Sequence, residues 1–361
     1  MKALILAGGF ATRLRPLSCT RPKILFPVLN KPIVEWIMER LSKNDIEEVI
    51  FAINNQTACH LKQVKIPNYG MKIAYSYDPP KKPLGTGGAI KRAEKFLSDS
   101  DFLVVNGDIF ADIDYSKIIE VHMEKRAVAT IALHKAKDPS RYGVAELAEN
   151  GRVEFFVEKP STWHSSSSLI NAGIYVLNPK IFSYIPRGRK VSLEREIFPI
   201  LVKERTLYGH PFEGLWTDIG KIDDYLEVNK VLLEMFHKKT EGTFKGEGKT
   251  APPAVCGDDT FVGRESVVGP YAVLGRKVRV GTNVQIRNSV IFDGVSIGDS
   301  SVISGAVIGE NAVIGKGVRI NENCVIGDYA VIGDKVKLAK GVIVCPAKEI
   351  FEDITTPKCI F

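Results

Sequence analysis

Apolar and polar positions along the chain keep one rhythm up to about residue 240 and another after it. In the first stretch, short apolar runs alternate with amphipathic ones. KALILA (2–7) predicts a buried strand that ends at a Gly pair. PIVEWIMERLS (32–42) sets Ile33, Trp36, Ile37, Met38 and Leu41 at helical spacing with a proline in the first turn, which predicts a helix. EVIFAI (48–53) and KIAYSY (72–77) read as strands, GGAIKRAEKFL (87–97) as a helix, and FLVVNGD (102–108) as a buried strand running into Asp108. Strand, helix, strand in this order predicts a Rossmann-like, mostly parallel sheet with helices on both faces. Ligands of such sheets bind beyond the carboxyl ends of the strands, where Gly8-Gly9 and Asp108 both fall.

After residue 253 the period is six. Aliphatic residues recur at Val262, Val268, Leu274, Val280 and Ile286, at Ile291, Ile297 and Ile303, and at Ile308, Ile314, Ile320, Ile326, Ile332 and Leu338; each slip between tracts is one residue short. A six-residue repeat predicts a parallel β-helix, each short strand turning one aliphatic side chain inward. On this reading the residue that follows, Gly at 263, 269, 275, 281, 298, 309, 315, 327 and 333, permits the corner. Fourteen repeats at three per turn make between four and five coils. KKTEGTFKGEGKTAPP (238–253) has no apolar period and reads as a linker. The expected organisation is a first domain over 1–237, a linker over 238–253, the β-helix over 254–345 and a C-terminal tail over 346–361.

Composition narrows the function classes. A 361-residue chain with 45% hydrophobic and 25% charged residues is not disordered, collagenous or a coiled coil. No run of ~18 apolar residues offers a bilayer span, and MKALILAGGF reads as a first strand, not a signal peptide. Six cysteines without a C-x-x-C pair predict reduced, cytoplasmic thiols. A net charge of +7 suits nucleic acid or an anionic small molecule, and does not choose between them. The cations nearest the first glycines, Arg13, Arg15, Arg21 and Lys23, sit in one loop without a basic-aromatic stripe, which argues against nucleic acid.

That loop, GGFATRLRP followed by Pro22-Lys23, carries the chemistry. A Gly pair after a strand lets a ligand approach the backbone, whose amides bind phosphate. The loop is neither G-x-G-x-x-G nor a P-loop. Four cations within eleven residues suit a polyphosphate, although a basic run is also an ordinary solvated loop.

LAGGFATRLRPLSCTRPKILFPVLNKPI resembles the signature region of the sugar-1-phosphate nucleotidylyltransferases, L-A-G-G-x-G-T-R-L-x-P-L-T-x-x-x-P-K. The resemblance continues through PLGTGGAI (83–90), VVNGDIF (104–110), YGV (142–144), VEKP (157–160), NAGIYVL (171–177) and WTDIG (216–220). SLEREIFP (192–199) followed by LWTDIGKIDDYL (215–226) looks most like the mannose-1-phosphate guanylyltransferases, where a left-handed β-helix behind the catalytic domain is usual. Two departures stand out. Ser18 replaces Thr, and Ala11 replaces Gly, which restricts the loop if that position needs φ > 0.

The resemblance implies nucleotidyl transfer: an NTP and a sugar 1-phosphate give an NDP-sugar and pyrophosphate. The attacking phosphate oxygen is already ionised, so the task is to bring two polyanions together, with cations and rigid positioning. Asp108 and Asp218 would hold Mg2+. Arg13 would contact the β- and γ-phosphates and Lys23 the α-phosphate. Lys159 would bind the sugar phosphate, Glu158 the sugar hydroxyls, with Gly143 and Asn171 also bonded to the sugar. Leu6, Gly8, Gly9, Gly85, Thr86 and Gly87 would frame base and ribose. Thymidylyltransferases of this kind carry a Gln in the segment matching 85–89, and GTGGA has none, so guanine is favoured over thymine, with uridine and adenine left open. GTP and mannose 1-phosphate giving GDP-mannose is the expected reaction. A uridylyl- or thymidylyltransferase acting on glucose 1-phosphate or N-acetylglucosamine 1-phosphate is the alternative. A non-catalytic regulatory subunit would be expected to lose loop cations or a metal-binding Asp, and this chain keeps Arg13, Lys23, Asp108 and Asp218. β-Helix acyltransferases use a His general base, and no His follows His237, so the repeats read as an assembly domain that makes a homo-oligomer.

Overall fold

A computed structural model describes residues 1–79, 83–160, 168–236 and 244–361. Residues 238–243 of the expected linker lie outside them. Two compact units result: Met1–Gly9 with Ile33–Asp218, and Phe10–Pro32 with Ile219–Phe361.

In the first unit the four predicted strands lie in a sheet that has nine strands among the described residues. Lys72–Tyr77, Glu48–Ile53, Lys2–Leu6 and Phe102–Asn106 lie side by side and parallel. The strand Lys2–Leu6 is central and the chain leaves it to both sides, which makes its carboxyl end the switch point of the sheet. Ala3, Leu4, Ile5 and Phe102–Val104 are fully buried, as continuous apolar runs in a parallel sheet require. The helix Ile33–Leu41 buries Ile33, Val34, Ile37, Met38 and Leu41. The next, Asn55–Gln63, starts where the Asn54 side chain accepts from the Thr57 amide, an N-cap of the usual type. Beyond Phe102–Asn106 the sheet turns antiparallel through Leu169–Leu177, which pairs with Ala129–Lys135 on one part of its length and meets the Gly143–Leu147/Val153–Glu158 hairpin at Ile170↔Val144.

In the second unit, Lys249 to Ile360 climbs through three parallel sheets of six, seven and six strands, a left-handed β-helix. The coil repeat is 18 residues (Val262↔Val280), drops to 17 across the two slips (Val280↔Ile297), and returns to 18 (Ile314↔Ile332). Val262, Val280, Ile297, Ile314, Ile332 and Ile350 form one inward stack, all buried.

The structure differs from three sequence expectations. The β-helix starts inside the stretch expected to be a linker, since Lys249–Thr250 pairs with Val267–Val268. Two-residue strands need no apolar period to pair, so the pattern hid this coil. The expected tail is also part of the stack: Glu349–Ile350 pairs with Val331–Ile332, Cys359–Ile360 with Ile343–Val344, and Ile354 enters the core. Finally, most glycines after the aliphatic positions are not the left-handed corner residues, which are others such as Lys277, Asn283, Asn311 and Lys335. A Cβ at Gly263 would come 2.3 Å from the Gly281 carbonyl of the next coil, so glycine is needed there for close approach between coils.

The segment 10–32 clusters with the repeats and not with the sheet. It is a chain of single 3₁₀ turns, Thr12–Leu14, Leu17–Cys19 and Lys23–Leu25, then a hairpin of Pro27–Val28 and Lys31–Pro32. Both hairpin turn residues, Leu29 and Asn30, have positive φ (47° and 62°), as tight hairpins prefer. Phe26 is fully buried, edge-on to Tyr225 of the helix Ile222–Phe236 and to Phe292 of the β-helix, with centroids at 5.8 and 6.4 Å. Ala11 does adopt the left-handed region (φ 47°, ψ 42°), and Ser18 Oγ donates to its carbonyl at 2.8 Å. Ala11→Gly should therefore raise the melting temperature by a degree or two. It relieves ~1–2 kcal/mol of left-handed cost and adds back ~0.5–1 kcal/mol of unfolded-state entropy. A fall on thermal unfolding would show that the methyl group is packed to advantage.

Candidate active site

The switch point of the first unit is built from strand ends. The Gly107 amide donates to the Leu6 carbonyl at 2.9 Å, so the turn before Asp108 lies against the end of the first strand. Asn54 Nδ2 donates to the Gly8 carbonyl at 2.9 Å and fixes the Gly pair. A Cβ on Gly9 would meet nothing within 4 Å, which leaves that face open to a ligand.

Sequence reading missed Asp78, which follows Lys72–Tyr77 at the same edge of the sheet. A Cβ on Gly8 would lie 2.6 Å from Asp78 Oδ2, so the carboxyl and the glycine share one small space. Asp78 Oδ1 is buried with no hydrogen-bond partner among the described residues. Burial pushes the carboxyl up to about 6, against a smaller opposing pull from Arg92. An unpartnered, half-buried carboxylate at a switch point is set up to accept from a ligand's N–H groups. The signal was available: Asp78 ends a strand just as Asp108 does.

Asp108 and Asp218 arrive from segments more than a hundred residues apart. Ile109–Ala111 and Trp216–Asp218 form a two-stranded antiparallel ribbon in which Asp218 registers with Ile109, so the backbones of the two aspartates are neighbours at one end of it. Trp36 and Phe110 meet in a T-shaped pair with ring centroids 5.4 Å apart, and Arg40 pairs with Asp112 at 3.1 Å. On the other strand Trp216 donates to the Ala172 carbonyl, stacks on His134, and meets Tyr142 edge-on at 5.1 Å. Near the ribbon's end Asn106 Oδ1 is buried without a hydrogen-bond partner among the described residues. Two carboxylates and an amide oxygen are hard donors, a set that fits Mg2+. Among the described residues no group of three His, Cys, Asp or Glu forms a metal site; a two-carboxylate arrangement leaves the remaining positions to phosphate oxygens and water.

The expected sugar-binding residues line up across three strands. Glu158 registers with Gly143, and Ile170 with Val144, which brings Asn171 next to Gly143. A Cβ on Gly143 would lie 2.8 Å from Glu158 Oε2 and 2.7 Å from the Phe156 ring, so a larger residue would have to displace those side chains. Burial, then the Glu194 charge, pushes the Glu158 carboxyl up, with Lys159 and Arg195 opposing. Lys159, at φ 51°, lies 3.6 Å from Glu158 and keeps half its side chain exposed. Asn171 Oδ1 accepts from the Gly173 amide and its Nδ2 donates to Tyr175.

Gly85, Thr86 and Gly87 open the helix Gly85–Arg92. The Gly87 amide donates to the Val191 carbonyl at 3.0 Å, and a Cβ on Gly85 would lie 2.5 Å from that oxygen. These glycines thus admit a neighbouring segment, and the Gly87 amide already has an acceptor. Thr86 Oγ1 donates to Glu194 Oε2 at 2.7 Å, and Tyr175 donates to Glu194 Oε1 at 3.2 Å. Glu194, also missed, therefore ties the expected nucleotide segment to the expected sugar segment. It sits in a π-helical turn, Leu193–Ile197, a wide turn that recurs at functional sites.

Arg13 and Lys23 belong to the second unit. Arg13 is exposed on the turn Thr12–Leu14, and Lys23 is half-buried at the start of Lys23–Leu25. Arg21 departs from expectation. Instead of standing ready for polyphosphate, it is held by Glu310 at 2.5 Å and Asp328 at 2.8 Å. Of the four cations expected to meet polyphosphate, Arg21 is thus already paired with two carboxylates.

Residues 2–235 match the nucleotidyl transferase family model and residues 250–360 the GMPPB C-terminal domain model. The chain belongs to the nucleotidyl transferase family. The mannose-1-phosphate guanyltransferase of Yarrowia lipolytica is 36% identical over 267 residues, 73% of this chain and 71% of that protein. The mannose-1-phosphate guanylyltransferase catalytic subunit beta of Danio rerio is 34% identical over 268 residues, 72% and 74% of the two chains. Among solved structures, HddC from Yersinia pseudotuberculosis complexed with GMP-PN superposes with a TM-score of 0.54 at 29% identity, covering 64% of this chain and 99% of that one. This member of the family is accordingly a nucleotidyltransferase, and members of the family generally use a divalent metal ion. Among the described residues no helix is long and apolar enough to cross a membrane.

Proposed function

We propose that the protein joins GTP and mannose 1-phosphate to give GDP-mannose and pyrophosphate. A phosphate oxygen of the sugar attacks the α-phosphorus of GTP. The new P–O bond forms as the bond from the α-phosphorus to the bridging oxygen breaks, and pyrophosphate carries that oxygen away. The observation that carries the reading is the register of Asp218 with Ile109, beside Asp108, at the end of the ribbon. In this reading Asp108 and Asp218 hold Mg2+, which when bound neutralises charge on the phosphates.

The chain's own residues do the rest. Arg13 takes the β- and γ-phosphates and Lys23 the α-phosphate, so negative charge leaving with pyrophosphate is met by fixed cations. Lys159 binds the sugar phosphate. Glu158, with Gly143 and Asn171, holds the sugar hydroxyls, and Leu6, Gly8, Gly9, Gly85, Thr86 and Gly87 surround base and ribose. Asp78 selects the base: a carboxylate accepts from N1–H and the 2-amino group of guanine together. Uracil and thymine instead offer one N–H flanked by carbonyls, which a carboxylate repels. The names of the yeast and fish relatives support guanine and mannose.

Self-association through the β-helix has support in Val313, Phe351 and Phe361, apolar side chains exposed on its strands and end. A cytoplasmic location agrees with six cysteines of which none is in a disulfide. The test is pyrophosphate release over a matrix of NTPs and sugar 1-phosphates with Mg2+. GTP with mannose 1-phosphate should give the highest kcat/KM. Preference for UTP or dTTP with glucose 1-phosphate would overturn the substrate assignment.

A further inference from the structure

We propose that the β-helix holds the phosphate-binding loop in its working shape, with Asp328 as the positioning residue. Asp328 is 1% exposed, at a corner between coils. Its Oδ1 accepts from the Glu310 amide at 2.7 Å. Its Oδ2 accepts from Thr20 Oγ1 at 2.6 Å and from Arg21 Nη2 at 2.8 Å. The same Arg21 nitrogen donates to Glu310 Oε2 at 2.5 Å, and the guanidinium lies over Phe292, 4.9 Å from its centroid. Burial alone would lower the Arg21 pKa, but Asp328 and Glu310 more than offset it and the net shift is upward. The arginine is thus a fixed charge of the clamp.

Comparison within the β-helix separates two jobs. Asp299 and Asp334 stand at equivalent corners, and each Oδ1 likewise accepts a backbone N–H, from Thr282 and Lys316. That bond is a rung of the coil. The second oxygen of Asp328 differs, because it reaches outside the repeats to the loop.

The loop consequences follow from chain connectivity. Arg21 is followed by Pro22, at φ −67°, and then Lys23, so fixing Thr20 and Arg21 sets where the Lys23 backbone starts. Two residues upstream, Ser18 is bonded to the Ala11 carbonyl, at the foot of the turn that carries Arg13. A loop ordered before substrate arrives does not have to be ordered by it. The inference rests on Arg13 and Lys23 being phosphate ligands, as proposed above.

Asp328→Asn isolates the clamp. The amide oxygen still serves the Glu310 N–H, while the NH2 group faces Thr20 and Arg21 and accepts nothing from them. Asp334→Asn, at an exposed corner, is the control for the rung alone. Relative to the control, Asp328→Asn should lower kcat/KM for the NTP by ~10–100-fold, the scale of a lost hydrogen bond to a charged group, and should also lower the melting temperature, because one partner of a buried ion pair is removed. Thr20→Val, which leaves the coil untouched, should shift kcat/KM the same way by a smaller factor. Amide hydrogen exchange over residues 18–28 should be faster in both variants and unchanged in Asp334→Asn. Equal exchange and equal kinetics in Asp328→Asn and Asp334→Asn would overturn the clamp. If the wild-type protein failed to transfer nucleotides, the substrate reading would fall, and exchange would still judge the clamp by itself.

Discussion

Replacing Asp108 by Ala is expected to lower kcat at least ~100-fold while the protein stays folded, the scale seen when a preorganised electrostatic group is removed. The residue follows a tight turn fixed by the Gly107–Leu6 hydrogen bond, so truncating its side chain leaves the backbone bonds of the switch point in place. Asp218→Ala should behave the same, because Trp216 keeps the ribbon anchored through its bond to the Ala172 carbonyl. Asp112 is the control: its carboxylate is 55% exposed and pairs with Arg40, so Asp112→Ala should change kcat less than ~3-fold. Steady-state pyrophosphate release measures all three. Wild-type turnover in Asp108→Ala would remove the aspartate from the reaction.

Asp78→Asn is expected to cut kcat/KM for GTP by ~30–100-fold and to narrow the preference for GTP over UTP. The site loses one acceptor of a bidentate pair and turns an NH2 toward guanine donors. The carboxyl titrates at about 6, so KM for GTP should rise as pH falls through 6 in the wild type and stay flat in Asp78→Asn. The stability consequence has the opposite sign. The folded pKa lies above the unfolded one, so the folded state binds more protons between about 4 and 6, and stability falls as pH rises across that window. Asp78→Asn should abolish that fall in a chemical-denaturation series. Identical pH profiles for the two proteins would mean the carboxyl faces neither solvent nor nucleotide in the way described.

The parts of the fold that were legible from sequence are those with a local period. KALILA and FLVVN read as buried strands because a parallel sheet covered on both faces needs apolar residues at every position. The β-helix was legible because Ile297, Ile314 and Ile332 must each fill the same small core, one coil above another. Its first and last coils were not, since Lys249–Thr250 carries no aliphatic residue and Ile360, although packed against the core, falls outside the six-residue phase. Nothing local in TRPK indicated that Arg21 is bound by residues about three hundred positions later. Counting charges assigned it to the ligand because an ion pair across that distance leaves no trace in spacing. Asp108 was found by its place at a strand end. Asp78 satisfies the same rule and was passed over only because no motif surrounded it. Glu194 could not be found locally, because its role is set by Thr86 and Tyr175 on two other elements.

In the proposed reaction Asp108 and Asp218 share one divalent ion with the nucleotide. Mn2+ binding followed by electron paramagnetic resonance, with and without GTP, tests it most directly. The wild-type protein should bind Mn2+ weakly alone and at least ~10-fold more tightly with GTP present, because phosphate oxygens complete the coordination. Asp108→Asn and Asp218→Asn should each lose that gain. Either variant binding Mn2+ and GTP as the wild type does would contradict the claim.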